Sequence, residues 1–191
     1  MKKDIILAGV GGQGILSIAA IIGYAALDSG LFVKQAEVHG MSQRGGDVQS
    51  HLRISDKEIA SDLIPSGKAD LIISIEPMES LRYLPMLSDE GWVISNTTPF
   101  KNIPDYPDIN EIYNIIKSLK RSVLIDADNI AKELQSPKSA NMVILGASIP
   151  YIGILFEKFE KGINSLFGKK GEELVKLNIL ALKAGLDAVK N

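Results

Sequence analysis

Ile5 to Val10 is a short apolar run bounded by charge on one side and by glycines on the other, the pattern of a strand buried on both faces. Ile15 to Leu27 then reads as a largely buried helix ending near Gly30, and Phe32 to Val38 as a second strand. His39 to Gly46 is polar and glycine-rich, which predicts a loop. Val48, Ser50, Leu52 and Ile54 alternate with Gln49, His51 and Arg53, so a strand with one wetter face follows. Asp56-Lys57 is expected to turn it back into a hairpin arm over Glu58–Ser61. Ala69 to Ile75 is another buried strand, stopped by Glu76-Pro77.

A helix from about Met78 to Leu87 and a strand from Trp92 to Ser95 make the next β-α-β unit. Asn96 to Asp108 contains Pro99, Pro104 and Pro107 and reads as irregular. Helix (Ile109–Leu119), strand (Val123–Ile125) and helix (Asn129–Leu134) repeat the alternation, and from Ala140 onward the pattern is helical. Within it, Asn141 to Phe156 is apolar on nearly every side, with Gly146, Pro150 and Gly153 expected to bend or break it. Glu172 to Lys190 confines its charges to a narrow stripe, so most of that helix must be buried. Alternating β and α elements with buried strands predict an α/β fold, a mostly parallel sheet with helices on both faces.

The length of 191 residues fits one α/β domain over 1–191, and 46% hydrophobic with 23% charged residues supplies one core. A net charge of −2 lacks the cationic excess that phosphate neutralisation by a nucleic-acid binder needs. There is no cysteine, which removes disulfides, thiol nucleophiles and the ligands of an iron–sulfur cluster together. The opening MKKDIILAGVGGQG has too short an apolar run for a signal peptide, and no segment approaches a membrane span. A soluble, cytoplasmic protein is expected.

Gly9-Val10-Gly11-Gly12-Gln13-Gly14 matches G-x-G-x-x-G directly after a strand and before a helix. Such glycines let backbone N–H groups approach an anion at a helix N-terminus. The readings are a dinucleotide site with Glu37 as the ribose-binding acid, a contact to some other anion or cofactor, or a tight turn with close helix–sheet packing. His39-Gly40-Met41-Ser42-Gln43-Arg44-Gly45-Gly46 is rich in donors, and Arg44 suits a carboxylate or phosphate clamp, though a surface loop with a glycine turn accounts for it equally. His39, Asp47 and His51 do not have a recognised metal spacing, and Ser42 with His39 makes a poor nucleophile pair. Glu76, Asp126 and Asp128 sit at strand ends, where site and turn or cap are both open.

Seven segments together carry a family resemblance: AGVGGQGI (8–15), EVHGMSQRGGDV (37–48), SHLRIS (50–55), ADLIISIEPMESLRYL (69–84), VISNT (93–97), IDADNIAKE (125–133) and NMVILGA (141–147). The chain resembles the gamma-type subunits of 2-oxoacid:ferredoxin oxidoreductases, and HGMSQRGG resembles the indolepyruvate branch, whose corresponding chain is its beta subunit. The resemblance implies a Rossmann-like three-layer α/β/α domain with a helical C-terminal segment. It also implies a part in oxidative decarboxylation of a 2-oxoacid, indolepyruvate or another arylpyruvate, to an acyl-coenzyme A, with ferredoxin as acceptor. Thiamine diphosphate, magnesium and iron–sulfur clusters are implied on a larger alpha subunit, with coenzyme A as cosubstrate and no cofactor on this chain. Gly45-Gly46-Asp47 only superficially resembles the family's Gly-Asp-Gly diphosphate anchor. Gly9, Gly11, Gly12, Gln13 and Gly14 become candidates for a cofactor contact, and His39, Ser42, Gln43, Arg44, Gly45 and Gly46 for a partner or coenzyme A contact. A free-standing nucleotide-binding protein is the competing reading.

Overall fold

Ile5 and Leu7 project into one apolar cluster and Ile6 and Ala8 into another, so β1 (Lys2–Val10) is buried on both faces. This follows from a computed structural model that describes residues 1–39, 45–101 and 103–190, His39 by its backbone alone. Six strands make one sheet: β1, β2 (Phe32–His39), β3 (Asp47–Ser55), β4 (Ala69–Ser74), β5 (Leu87–Asn96) and β6 (Ser122–Ile125). Their order is β2-β3-β1-β4-β5-β6. β1, β4, β5 and β6 pair in parallel, while β3 runs antiparallel to both β1 and β2. The sheet is therefore mostly parallel, as the pattern predicts.

One face is covered by α1 (Ile15–Leu27), α4 (Ala127–Glu133), α5 (Ala140–Ile152), α6 (Phe156–Phe167) and α7 (Glu172–Ala188). The other is covered by α2 (Pro77–Arg82), α3 (Ile109–Ser118) and the segment 56–68, which brings Ile64 into that layer. The three-layer α/β/α arrangement and the helical C-terminal part match expectation. α5 has no polar side and is sandwiched between the sheet and α7. Its Gly146 meets Gly185 of α7 so closely that a Cβ on either would lie 1.9 Å from a carbonyl oxygen of the other helix.

Four details differ from the sequence reading. Glu58–Ser61 is not a hairpin arm; the hairpin partner of β3 is β2, with Gln35 opposite Leu52. The helix expected to reach Leu87 ends at Arg82 and passes through a 3-10 turn at Leu84–Met86, because Pro85 restricts Leu84 and supplies no N–H. β5 accordingly starts at Leu87 rather than Trp92. Pro150 does not break α5: it is exposed in the last turn, and the helix runs to Ile152 before Gly153, at φ 81°, ends it. A separate amphipathic helix, α6, follows, burying Phe159 and Ile163 against α1 and leaving Glu157, Glu160 and Lys161 off the core. No helix among the described residues is long and apolar enough to cross a membrane.

Candidate functional site

The chain leaves β1 at Val10 and enters α1 at Ile15, so the intervening glycines lie at the carboxyl end of a parallel strand. Gln13 holds this turn together: its N–H donates to the Val10 carbonyl (3.1 Å) and its Oε1 accepts from the Val10 N–H (2.8 Å). Gly14 is the N-cap of α1 at φ 84°, and no side chain caps the helix there. Gly12, at φ 103°, has open space where a Cβ would stand. The α1 N-terminus thus keeps its positive end toward an open cleft.

Three clefts meet at Gly12. One of about 410 Å³ lies between α1 and the β2–β3 pair, with Leu16, Val48 and Glu37 on its walls. A second, about 450 Å³, is bordered by Asn96, Phe100, Asp128 and Lys138. The third, about 670 Å³, has Ser17, Lys138, Lys170 and Asn178 around it. Glu37 therefore shares a cleft with the glycine turn, as the dinucleotide reading expects. It sits on β2, though, which β3 separates from β1, so the acid stands two strand spacings, about 10 Å, from the strand that carries the turn. Gln35 also donates to its Oε1 at 2.8 Å.

The root of the polar loop is bound to the same turn. The Gly11 N–H donates to the Gly46 carbonyl (2.8 Å) and the Gly45 N–H to the Gly11 carbonyl (3.3 Å), continuing the β1–β3 ladder past Val10 and Asp47. Ser42, Gln43, Arg44 and the His39 side chain lie outside the described residues. Beneath this junction, Tyr83 donates to Asp47 (3.4 Å), and buried Glu79 accepts two hydrogen bonds from Arg82 (2.8 and 3.3 Å). Burial pushes the Glu79 carboxyl above the ordinary range while Arg82 pulls it back, and burial raises the Tyr83 hydroxyl, with Asp47 and Glu79 adding to it.

The other strand-end acids have structural occupations. Glu76 is wholly buried, caps α2 through the Glu79 N–H (2.8 Å), and accepts from the Phe100 N–H and the Tyr106 hydroxyl. Asp126 caps α4 through the Asn129 N–H (3.0 Å). Asp128 is not the cap; it accepts from buried Asn96 (2.7 Å), which also bonds the Ile75 carbonyl and the N–H groups of Thr97 and Ala127. Asn96 thereby fixes three strand ends around the second cleft. His51 is buried and accepts from the Ile64 N–H at Nδ1 (3.0 Å), so that nitrogen is occupied. Lys138, Lys170 and Asn141 were not singled out as site residues by sequence reasoning. Only packing of the α4–α5 connection and the α6–α7 turn beside Gly12 brings them there.

The model of the pyruvate ferredoxin/flavodoxin oxidoreductase family matches residues 4–188. An Archaeoglobus fulgidus protein named indolepyruvate oxidoreductase subunit IorB is 39% identical over 97% of this chain and 94% of its own. Its namesake from Methanothermobacter thermautotrophicus is 37% identical over 98% of both. Among solved structures, the pyruvate oxidoreductase subunit PORC of Thermotoga maritima superimposes with a TM-score of 0.76 at 24% identity, covering 97% of this chain and 96% of that one. The 2-oxoglutarate:ferredoxin oxidoreductase of Magnetococcus marinus, solved with 2-oxoglutarate, coenzyme A and succinyl-CoA bound, gives 0.79 at 23% identity over 99% of this chain. This chain spans 31% of the Magnetococcus chain's length.

Proposed function

The chain belongs to the pyruvate ferredoxin/flavodoxin oxidoreductase family, and on that premise we propose that it is the small subunit of a 2-oxoacid:ferredoxin oxidoreductase acting on indolepyruvate and other arylpyruvates. The observation that carries this reading is the near full-length identity to archaeal indolepyruvate oxidoreductase subunits. Relatives named for 2-oxoglutarate or pyruvate stand lower, at 30% and 27%. The reaction is oxidative decarboxylation of the oxoacid to an acyl-coenzyme A, with electrons passing to ferredoxin.

The chemistry of this chain's donors does not fit the cofactors that reaction needs. It has no cysteine for a cluster. Asp47, in the Gly-Gly-Asp segment, opens β3 and accepts from Tyr83 rather than forming a Gly-Asp-Gly anchor. By its resemblance to the family, we assign thiamine diphosphate, magnesium and the clusters to a larger subunit. This chain's share is a glycine turn with a positive helix end, Lys138 and Lys170 lining the clefts it borders, and Gly45 and Gly46 fastened to it. That set suits an anionic part of coenzyme A, or an acidic group of the partner, and Gly9, Gly11, Gly12, Gln13 and Gly14 with His39, Ser42, Gln43, Arg44, Gly45 and Gly46 are the residues we assign to it. The cytoplasm is the compartment we assign.

Reconstitution with a candidate large, thiamine- and cluster-binding subunit tests the proposal. Arylpyruvate- and coenzyme A-dependent viologen reduction should need both chains. Full activity of the large subunit alone, or failure of the two to associate, would sink it. The open cleft at Gly12 also favours a second reading, a free-standing nucleotide-binding protein, for which saturable micromolar NAD(H) binding by the isolated chain would speak.

A further inference from the structure

Segment 56–68 crosses the face of β2 and β3 opposite α1 without regular structure of its own. Its backbone is tied down mostly by side chains of those two strands. Lys34 donates to the Ala60 carbonyl (3.1 Å), and Arg53 donates to the carbonyls of Ser61 and Leu63 (3.0 Å each). The Lys57 N–H donates to Ser55 Oγ (2.9 Å), and the Ile64 N–H to Nδ1 of His51 (3.0 Å). Ile59 and Ile64 are the segment's buried apolar contacts, at 8% and 3% exposure. His51, placed by its alternation on the wetter face of the strand, is 6% exposed because this segment covers it.

These ties do not respond alike to acid. Lysine, arginine and serine bond the segment in the same state at any pH where the protein is folded. A histidine accepts at Nδ1 only as the neutral imidazole with its proton on Nε2; once protonated, both nitrogens are donors. A second proton would then face the Ile64 N–H across 3.0 Å.

We infer that segment 56–68 is an acid-releasable strap, held on β2 and β3 by hydrogen bonds of which the one to His51 requires a neutral ring. The charged groups around the imidazole divide in sign. Arg53 on the same strand opposes its protonation, although Arg53 is paired with buried Asp4 of β1 (2.7 Å). Asp62 of the strap favours protonation. From the helical layer, Tyr83 joins the same apolar cluster as Ile6 and Ile64, and its hydroxyl is committed to Asp47. Burial dominates and holds the imidazole below its ordinary value of 6.5. A depressed folded value means that the tie is fully present above that ordinary value and is lost as pH falls through the depressed one. The strap leaves the strand whose other end clasps the glycine turn, so its release would expose the face of the β2–β3 pair.

Hydrogen exchange on the full chain, corrected for intrinsic rates and followed from about pH 7.5 to about pH 5, tests this. Amides of the strap should lose protection by about tenfold or more, while those of β4 keep theirs. His51→Asn places a non-titrating acceptor near the Nδ1 position and should make strap protection independent of pH. Wild-type protection that stays flat, or the same pH profile in His51→Asn, overturns the inference. Should that variant not fold, the ring nitrogen shifts of wild-type His51 decide: a proton on Nδ1 at neutral pH overturns it, and a bare Nδ1 that titrates together with strap exchange supports it.

Discussion

Gly14 joins two demands that no other residue type meets together. Its φ of 84° is left-handed, and a Cβ there would lie 2.4 Å from Nδ2 of Asn141, whose side chain donates to the Gly14 carbonyl (3.4 Å). Gly14→Ala should therefore cost about 1–3 kcal/mol from backbone conformation alone, with the Asn141 clash added. Thermal melts of Gly14→Ala and of Gly14→Ala combined with Asn141→Ala separate the two terms. The double variant should recover only the clash, and an unchanged midpoint in the single variant would mean the turn is ordinary. That the turn exists was legible in the sequence, since glycines between an apolar run and a helix have few other uses. That Asn141 closes it from a distance of 127 residues was not, because nothing local in either segment encodes the meeting.

Between elements, the tightest contact is the crossing of α5 and α7 at Gly146 and Gly185. Intrinsic propensity says that Gly→Ala in a helix interior stabilises by about 1 kcal/mol. At this crossing the sign should reverse: the new methyl meets a backbone carbonyl at 1.9 Å, and backbone cannot step aside without parting the helices. Gly146→Ala and Gly185→Ala should each destabilise by about 3 kcal/mol, as overpacking of a close-packed core does. Denaturant melts showing either variant more stable than wild type would remove the crossing as the cause. The sequence marked Gly146 as a point where the helix bends, because a glycine among apolar residues reads as a break when its partner helix is unknown. Pro150 does not end the helix, which runs on to Ile152 and stops at Gly153, one of the three breaks expected. Strand identities were legible from apolar runs, but the pairing of β3 was not. Its alternation suggested one wetter face, which segment 56–68 covers, and a return arm of β3 was expected where β2 is the partner.

At the scale of the whole molecule, inserting β3 between β1 and β2 is what separates this chain from a dinucleotide-binding arrangement of similar sequence pattern. It moves the Glu37 strand outward and brings the root of the polar loop onto the glycine turn, through Gly45, Gly46 and Gly11. Gly45 and Gly46 are thus tied to the glycine turn at the carboxyl edge of the sheet, where α/β proteins place their ligands. Arg44, outside the described residues, immediately precedes that junction in sequence. If it pairs with a carboxylate of the large subunit or a phosphate of coenzyme A, removing it strands a charge-assisted bond worth about 1.5–3 kcal/mol. Arg44→Ala should then leave the melting point of the isolated chain nearly unchanged. In a titration against the large subunit it should weaken assembly, or raise the coenzyme A requirement, by about one to two orders of magnitude. Running the titration with and without saturating coenzyme A distinguishes the two partners. A deficit that coenzyme A relieves places the arginine on the cosubstrate, and one it does not relieve places it on the protein. Wild-type assembly and turnover at every concentration would return the loop to an ordinary surface turn.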